Sequence, residues 1–166
     1  MTCYDNFPIR IVILNLVELL AALSVGLLLM AQMGWGAALA YALVGCFGVV
    51  LSLGYGCTRC CYYGRVCGMG LGRMAALVFS QRDEGEFGQT LSQTLAWTLV
   101  GLVLALPLAA GLVSLNRGLS LPVLAALAVY LGLVMVLVLT HSRLVCGRCQ
   151  QARDKRCSLG RMARLT

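Results

Sequence analysis

The sequence predicts an all-α integral membrane protein: four transmembrane helices arranged as two duplicated helical hairpins, each followed by a cytoplasmic cysteine knuckle and a short interfacial helix. Three observations lead there. The chain is 60% hydrophobic and only 11% charged over 166 residues, with a mean hydropathy of +0.88, too little polar surface to cover a globule in water. It holds four apolar stretches close to the roughly 20 residues that a helix needs to cross a hydrocarbon core. It also matches itself: LGRMAAL at 71–77 and LGRMARL at 159–165 agree in six of seven positions.

The four stretches are Ile11 to Met33, Gly36 to Tyr55, Thr94 to Leu115 and Leu121 to Thr140. Asn15, Glu18 and Pro107 interrupt them, yet none shows the period-two alternation of a barrel strand, so each reads as a helix. Gly34-Trp35 and the five residues from Asn116 to Ser120 leave no room for a folded loop, which makes hairpins of spans one with two and three with four. The first apolar run is too long for the core of a cleavable signal.

Eleven of the thirteen basic residues fall in two segments: Arg59, Arg65, Arg73 and Arg82 after span two, and Arg143, Arg148, Arg153, Lys155, Arg156, Arg161 and Arg164 after span four. The positive-inside rule puts both segments, and with four spans both termini, in the cytoplasm. A bacterial or archaeal inner membrane is the expected location. The net charge of +7 is then a topological signal and an attraction to anionic headgroups; it brings no nucleic-acid-binding module with it.

The cysteines keep step with the repeat. Cys57, Cys60 and Cys67 are spaced C-x2-C-x6-C, and Cys146, Cys149 and Cys157 are spaced C-x2-C-x7-C. An 89-residue offset superposes the first two cysteines of each set, and also Arg59 on Arg148 and Tyr41 on Tyr130. The expected organisation is a first repeat over 1–80 with its short helix at 70–80, a solvated connector over 81–93 carrying Asp83, Glu84 and Glu86, and a second repeat over 94–166 with its short helix at 159–165.

A reducing compartment disfavours stable disulfides, so the repeated spacing points to metal ligation or thiol chemistry. A C-x2-C turn directs two sulfurs at one point, and two such turns supply the four ligands of tetrahedral zinc. The expected metal residues are therefore Cys57, Cys60, Cys67, Cys146, Cys149 and Cys157, with Cys61 and His141 as possible additions. Six thiolates in this spacing resemble the binuclear zinc cluster of fungal transcription factors, although the resemblance covers spacing alone and the intervening helices exclude that fold. An iron–sulfur cluster held by the two halves is the rival assignment. Cys46, inside span two, reads as a buried small hydrophobe. Tyr62 and Tyr63 read as interfacial anchors.

Asn15 and Glu18 lie one turn apart on one face of span one. An ionisable group there faces a bundle interior, and a hydrogen bond to another helix is expected ahead of a proton or ion path. The glycines between Gly64 and Gly72 lack the Lys-Ser/Thr ending of a phosphate loop, which excludes nucleotide binding by that motif. No catalytic constellation stands out. The functional expectation is a non-catalytic accessory, assembly or interaction subunit with a thiolate metal site, contacting the lipid bilayer and either other membrane-protein subunits or further copies of itself. A redox protein with an iron–sulfur or dithiol centre and a soft-metal transporter are the alternatives.

Overall fold

A computed structural model of the chain describes residues 4–88, 90–118 and 120–153. These residues are helical throughout their regular parts and include no strand. Four helical runs are long and apolar enough to span a membrane: Ile9–Ala31, Trp35–Arg59, Leu91–Arg117 and Leu121–Arg148. Their outward faces are rich in exposed leucine, valine and isoleucine, which is stable only where hydrocarbon replaces water as solvent.

The first is helix α1 (Ile9–Ala31), and the second begins with α2 (Trp35–Leu51). The link between them closes at Gly34, whose φ of 120° only glycine adopts without strain. A short helix, α3 (Leu71–Val78), follows the first cysteine segment. Then come α4 (Leu91–Arg117) and α5 (Leu121–Thr140), the latter started by Ser120, which accepts the Val123 N–H, and by Pro122 in the first turn. A final turn, α6 (Gln150–Arg153), ends the described chain.

α1 packs most extensively on α5, and α2 on α4. The helices close around Gly26, where an added Cβ would lie 2.7 Å from Tyr41 Oη, 3.0 Å from Pro107 Cγ and 3.3 Å from Tyr130 Cε2. Pro107 lacks an N–H and interrupts the α4 hydrogen-bond ladder. In the turn before it, the Leu104 carbonyl accepts the buried Tyr130 hydroxyl at 2.9 Å, a cross-helix bond in place of solvation. Cys46 faces outward rather than into the bundle, contrary to the buried reading, and a thiol is apolar enough to meet lipid.

α2 and α5 end alike. Each widens into one π turn, Ser52–Gly56 and His141–Val145, and then tightens into a 3-10 turn, Cys57–Arg59 and Cys146–Arg148. The observed helical runs extend past most of the hydropathy boundaries by a few residues, while α1 ends two residues short, at Ala31. α4 in particular starts at Leu91, so the last residues of the expected connector are helical. The repeat of the short helix at 159–165, together with Cys157, lies outside the described residues.

Candidate functional site

Both cysteine turns and the N-terminal segment meet at one end of the bundle and form a small cap. Its core is Phe7, Val12, Tyr62 and Val145, against which Cys60, Cys61, Cys67 and Cys149 pack. Tyr62 is only 2% exposed and is a core residue rather than a surface anchor. Its hydroxyl donates to the Tyr4 carbonyl at 2.7 Å and accepts the Gln150 N–H at 3.2 Å, so one phenol joins three segments. Tyr63, half-buried, donates to the Phe79 carbonyl at 2.6 Å.

The N-terminal segment is a strap across the two turns. Tyr4 N–H donates to the Arg148 carbonyl, Phe7 N–H to the Val66 carbonyl, and Asn6 Oδ1 accepts the Val66 N–H. Gln150 Nε2 donates to Asp5 Oδ1 at 3.0 Å. On the far side Cys61 N–H donates to Gln151 Oε1 at 3.2 Å, a direct bond between the two cysteine segments. Gly68 sits against Val145 so closely that a Cβ would fall 2.3 Å from Val145 Cγ1.

Within this cap the chain brings Cys60 and Cys149 into each other's electrostatic reach, one thiol from each cysteine turn. The Cys61 side chain, hydrogen-bonded to the Cys60 thiol, pushes that thiol's pKa up. Burial and the neighbouring Cys61 and Cys149 push the same way, and a backbone hydrogen bond at Tyr62 opposes them. Cys57 and Cys67 are electrostatic neighbours, and Cys67 Sγ accepts the Gly72 N–H at 3.3 Å. Cys146 is half-buried on the second 3-10 turn. Cys61, which has no cysteine opposite it in the repeat, is thus in contact with the Cys60 thiol, a placement that the spacing could not reveal.

Among the described residues no three Cys, His, Asp or Glu side chains gather closely enough to hold a metal ion. His141 turns to the bundle instead. Its Nδ1 lies 3.1 Å from Asn15 Oδ1, and Thr140 Oγ1 lies 3.1 Å from Glu18 Oε1. A second polar site therefore sits in the seam between α1 and the end of α5, where the expected helix-to-helix hydrogen bond of Glu18 is found.

Arg59 has a structural role beyond the topology and the repeat position that the sequence shows. It is 7% exposed, its Nε donates to Glu86 Oε2 at 3.0 Å, and its Nη1 reaches the Tyr55 carbonyl. The connector is accordingly docked: Phe87 is buried, Arg82 N–H donates to the Thr58 carbonyl, and the Arg82 guanidinium lies over the Tyr55 ring. Comparison of the chain with protein-family models, curated proteins and solved structures finds no match.

Proposed function

We propose that this chain is a membrane module built of two duplicated hairpins with both termini in the cytoplasm. Its thiol cap holds a soft metal ion, zinc ahead of an iron–sulfur cluster, and the module serves as an accessory or assembly subunit of a larger membrane complex. The observation that supports this most directly is the approach of Cys149, from the second half, to Cys60, from the first.

The duplication reading draws support from the matching ends of α2 and α5, whose π and 3-10 turns are both 89 residues apart. It also draws on the packing. Under the repeat α1 corresponds to α4 and α2 to α5, so the α1–α5 and α4–α2 contacts are one interface used twice. A pseudo-two-fold axis along the membrane normal relates them in this reading. A cap this small has little core of its own, and a metal ion bound by thiols from both turns adds its binding free energy to folding.

Redox chemistry is the second reading, favoured by the Cys60–Cys61 contact. The raised pKa of Cys60 weighs against it, because thiol–disulfide exchange needs the thiolate. The same feature gives metal binding a pH signature: a thiol that keeps its proton must release it to the ion, so affinity climbs with pH.

Metal analysis and an absorption spectrum of anaerobically purified protein test the proposal. Colourless protein carrying zinc, lost on either Cys60→Ser or Cys149→Ser, is the expected result. Brown protein containing iron and sulfide moves the assignment to electron transfer. A metal content unchanged in both variants, or wild-type protein that takes up no metal, removes the shared centre.

A further inference from the structure

α4 begins on Thr90-Leu91-Ser92-Gln93, a threonine at the N-cap with a glutamine three residues on. That is the composition of a capping box, in which the threonine hydroxyl accepts the glutamine N–H and the glutamine side chain accepts the threonine N–H. Here the Thr90 side chain caps nothing. Gln93 N–H donates to the Thr90 carbonyl at 3.1 Å, and Gln93 Oε1 accepts the Gly88 N–H at 2.6 Å, ahead of the helix. Thr90 Oγ1 and Gln93 Nε2 are both buried without a partner among the described residues, and Gln93 as a whole is 1% exposed. Two unpaired buried polar atoms destabilise this arrangement, so the bond to Gly88 must come with an offsetting gain.

The gain lies in the stretch just before it. Phe87 is buried, Glu86 accepts from Arg59, and Arg82 N–H donates to the Thr58 carbonyl. Gly88, at a φ of 80°, makes the left-handed turn that follows this docked stretch. Thr58 and Arg59 are the two residues between Cys57 and Cys60, so both polar attachments fall on the first cysteine turn. Gln93 thus holds the far end of a segment whose other contacts grip that turn.

We propose that residues 82–88 form a latch on the first cysteine turn and that Thr90 and Gln93 set its balance. In the latched form Gln93 holds Gly88 and the capping box is open. In the released form Gln93 Oε1 takes the Thr90 N–H, Thr90 Oγ1 takes the Gln93 N–H, and Gln93 Nε2 reaches water. Release forfeits the burial of Phe87 and the Arg59–Glu86 contact. Each form therefore holds a small set of interactions that the other lacks, which is the condition for two forms in exchange. The consequence falls on the thiols. Release takes Glu86 from Arg59 and the Arg82 N–H from Thr58, and the turn that leads into Cys60 keeps fewer contacts to hold it closed. The latch is independent of whether the cap binds a metal.

A change at Thr90 separates a latch from a residue that merely starts a helix. The cap bonds exist only in the released form, so weakening the cap favours the latch and strengthening it favours release. Thr90→Val removes the cap together with one of the unpaired buried atoms, whereas Thr90→Asn supplies a stronger cap without adding charge. An ordinary N-cap gives the opposite sign, with Thr90→Val loosening the start of α4 and Thr90→Asn firming it.

Hydrogen exchange of the reduced, chelator-treated full chain in lipid bilayers, read by mass spectrometry over residues 81–88, tests the proposal. Thr90→Val is expected to slow exchange there about five-fold and Thr90→Asn to speed it about two-fold, with alkylation of Cys60 moving in the same directions. Exchange no slower than wild type in Thr90→Val, or no faster in Thr90→Asn, overturns the latch. Exchange that follows the expected order while Cys60 alkylation stays constant overturns its hold on the cysteine turn. Should Thr90→Val fail to fold, Thr90→Asn decides alone: faster exchange with faster alkylation supports the latch, and any other result overturns it.

Discussion

Under the proposed duplication the seam between α1 and α5 corresponds to the seam between α4 and α2, and the two differ in chemistry. The first carries Asn15, Glu18, Thr140 and His141, joined by hydrogen bonds. The residues at the same offset in the second are Leu104, Pro107, Leu51 and Ser52. On that reading one frame supports a strongly polar seam and a largely apolar one. Membrane helices associate through close packing, so a hydrogen-bonded cluster is not required to hold such a seam. On the duplication reading the polar seam is therefore the specialised one.

The largest expected effect tests whether the two halves share a shape at the cap. Gly72, in the first LGRMA helix, is packed against backbone: a Cβ there would lie 2.3 Å from the Tyr62 carbonyl oxygen and 2.8 Å from that of Arg65. Backbone cannot move aside as a side-chain tip can, so Gly72→Ala is expected to cost about 3 kcal/mol or more. Denaturant unfolding in detergent measures it. Gly160→Ala is the matched variant in LGRMARL; a comparable loss supports one shared fold, and a loss near zero breaks the comparison.

Helix number, order and approximate limits were legible because hydropathy reports length and sign locally, and the link residues left only hairpins. The step from α2 to the cysteine turn was legible too, through repeated spacing. The polar seam was legible only in part. Asn15 and Glu18 were visible as costly residues on one face, but their partners lie 126 and 122 positions away, at a helix end that composition marks as ordinary. The strap was not legible, since Tyr4 and Phe7 carry no pattern and gain meaning only from Tyr62. Nor were the π turns, because one extra residue in a helical turn leaves no shared signal in sequences as different as SLGYG and HSRLV.

An intermediate effect sharpens the contrast between the seams. Thr140→Val removes the hydroxyl that donates to Glu18 Oε1 and leaves that oxygen without it, which is expected to cost about 1–2 kcal/mol. Adding Glu18→Leu removes the other member of this pair, and replacing both partners by apolar groups of similar size is nearly neutral. The double variant is therefore expected to recover most of the loss in the same unfolding measurement. If the two losses simply add, the residues are not coupled, and the seams differ for a reason other than this hydrogen bond.

The smallest effects compare the two arginines that the repeat superposes, inside CTRC and CGRC. Arg59 has a side chain 8% exposed and pairs with Glu86, itself 53% exposed, while also reaching the Tyr55 carbonyl. Arg148 is exposed, and its guanidinium lies over the Tyr4 ring, 5.3 Å from the centroid, with the Tyr4 hydroxyl also in hydrogen-bond contact. Since Glu86 returns to water when its partner is removed, most of the Arg59→Ala loss comes from the buried stem and the Tyr55 contact, about 1–2 kcal/mol. Glu86→Gln keeps both and should cost under about 1 kcal/mol. Arg148→Ala forfeits an exposed cation–ring contact of about 0.5–1 kcal/mol. The rate at which Cys60 reacts with a thiol reagent reports how often the cap opens, and each 1.4 kcal/mol is tenfold in that population. Arg59→Ala is therefore expected to speed labelling about tenfold and Arg148→Ala only a few-fold. Equal acceleration would mean that the strap holds the cap as firmly as the connector does, and that the two turns, unlike in burial, are alike in strength.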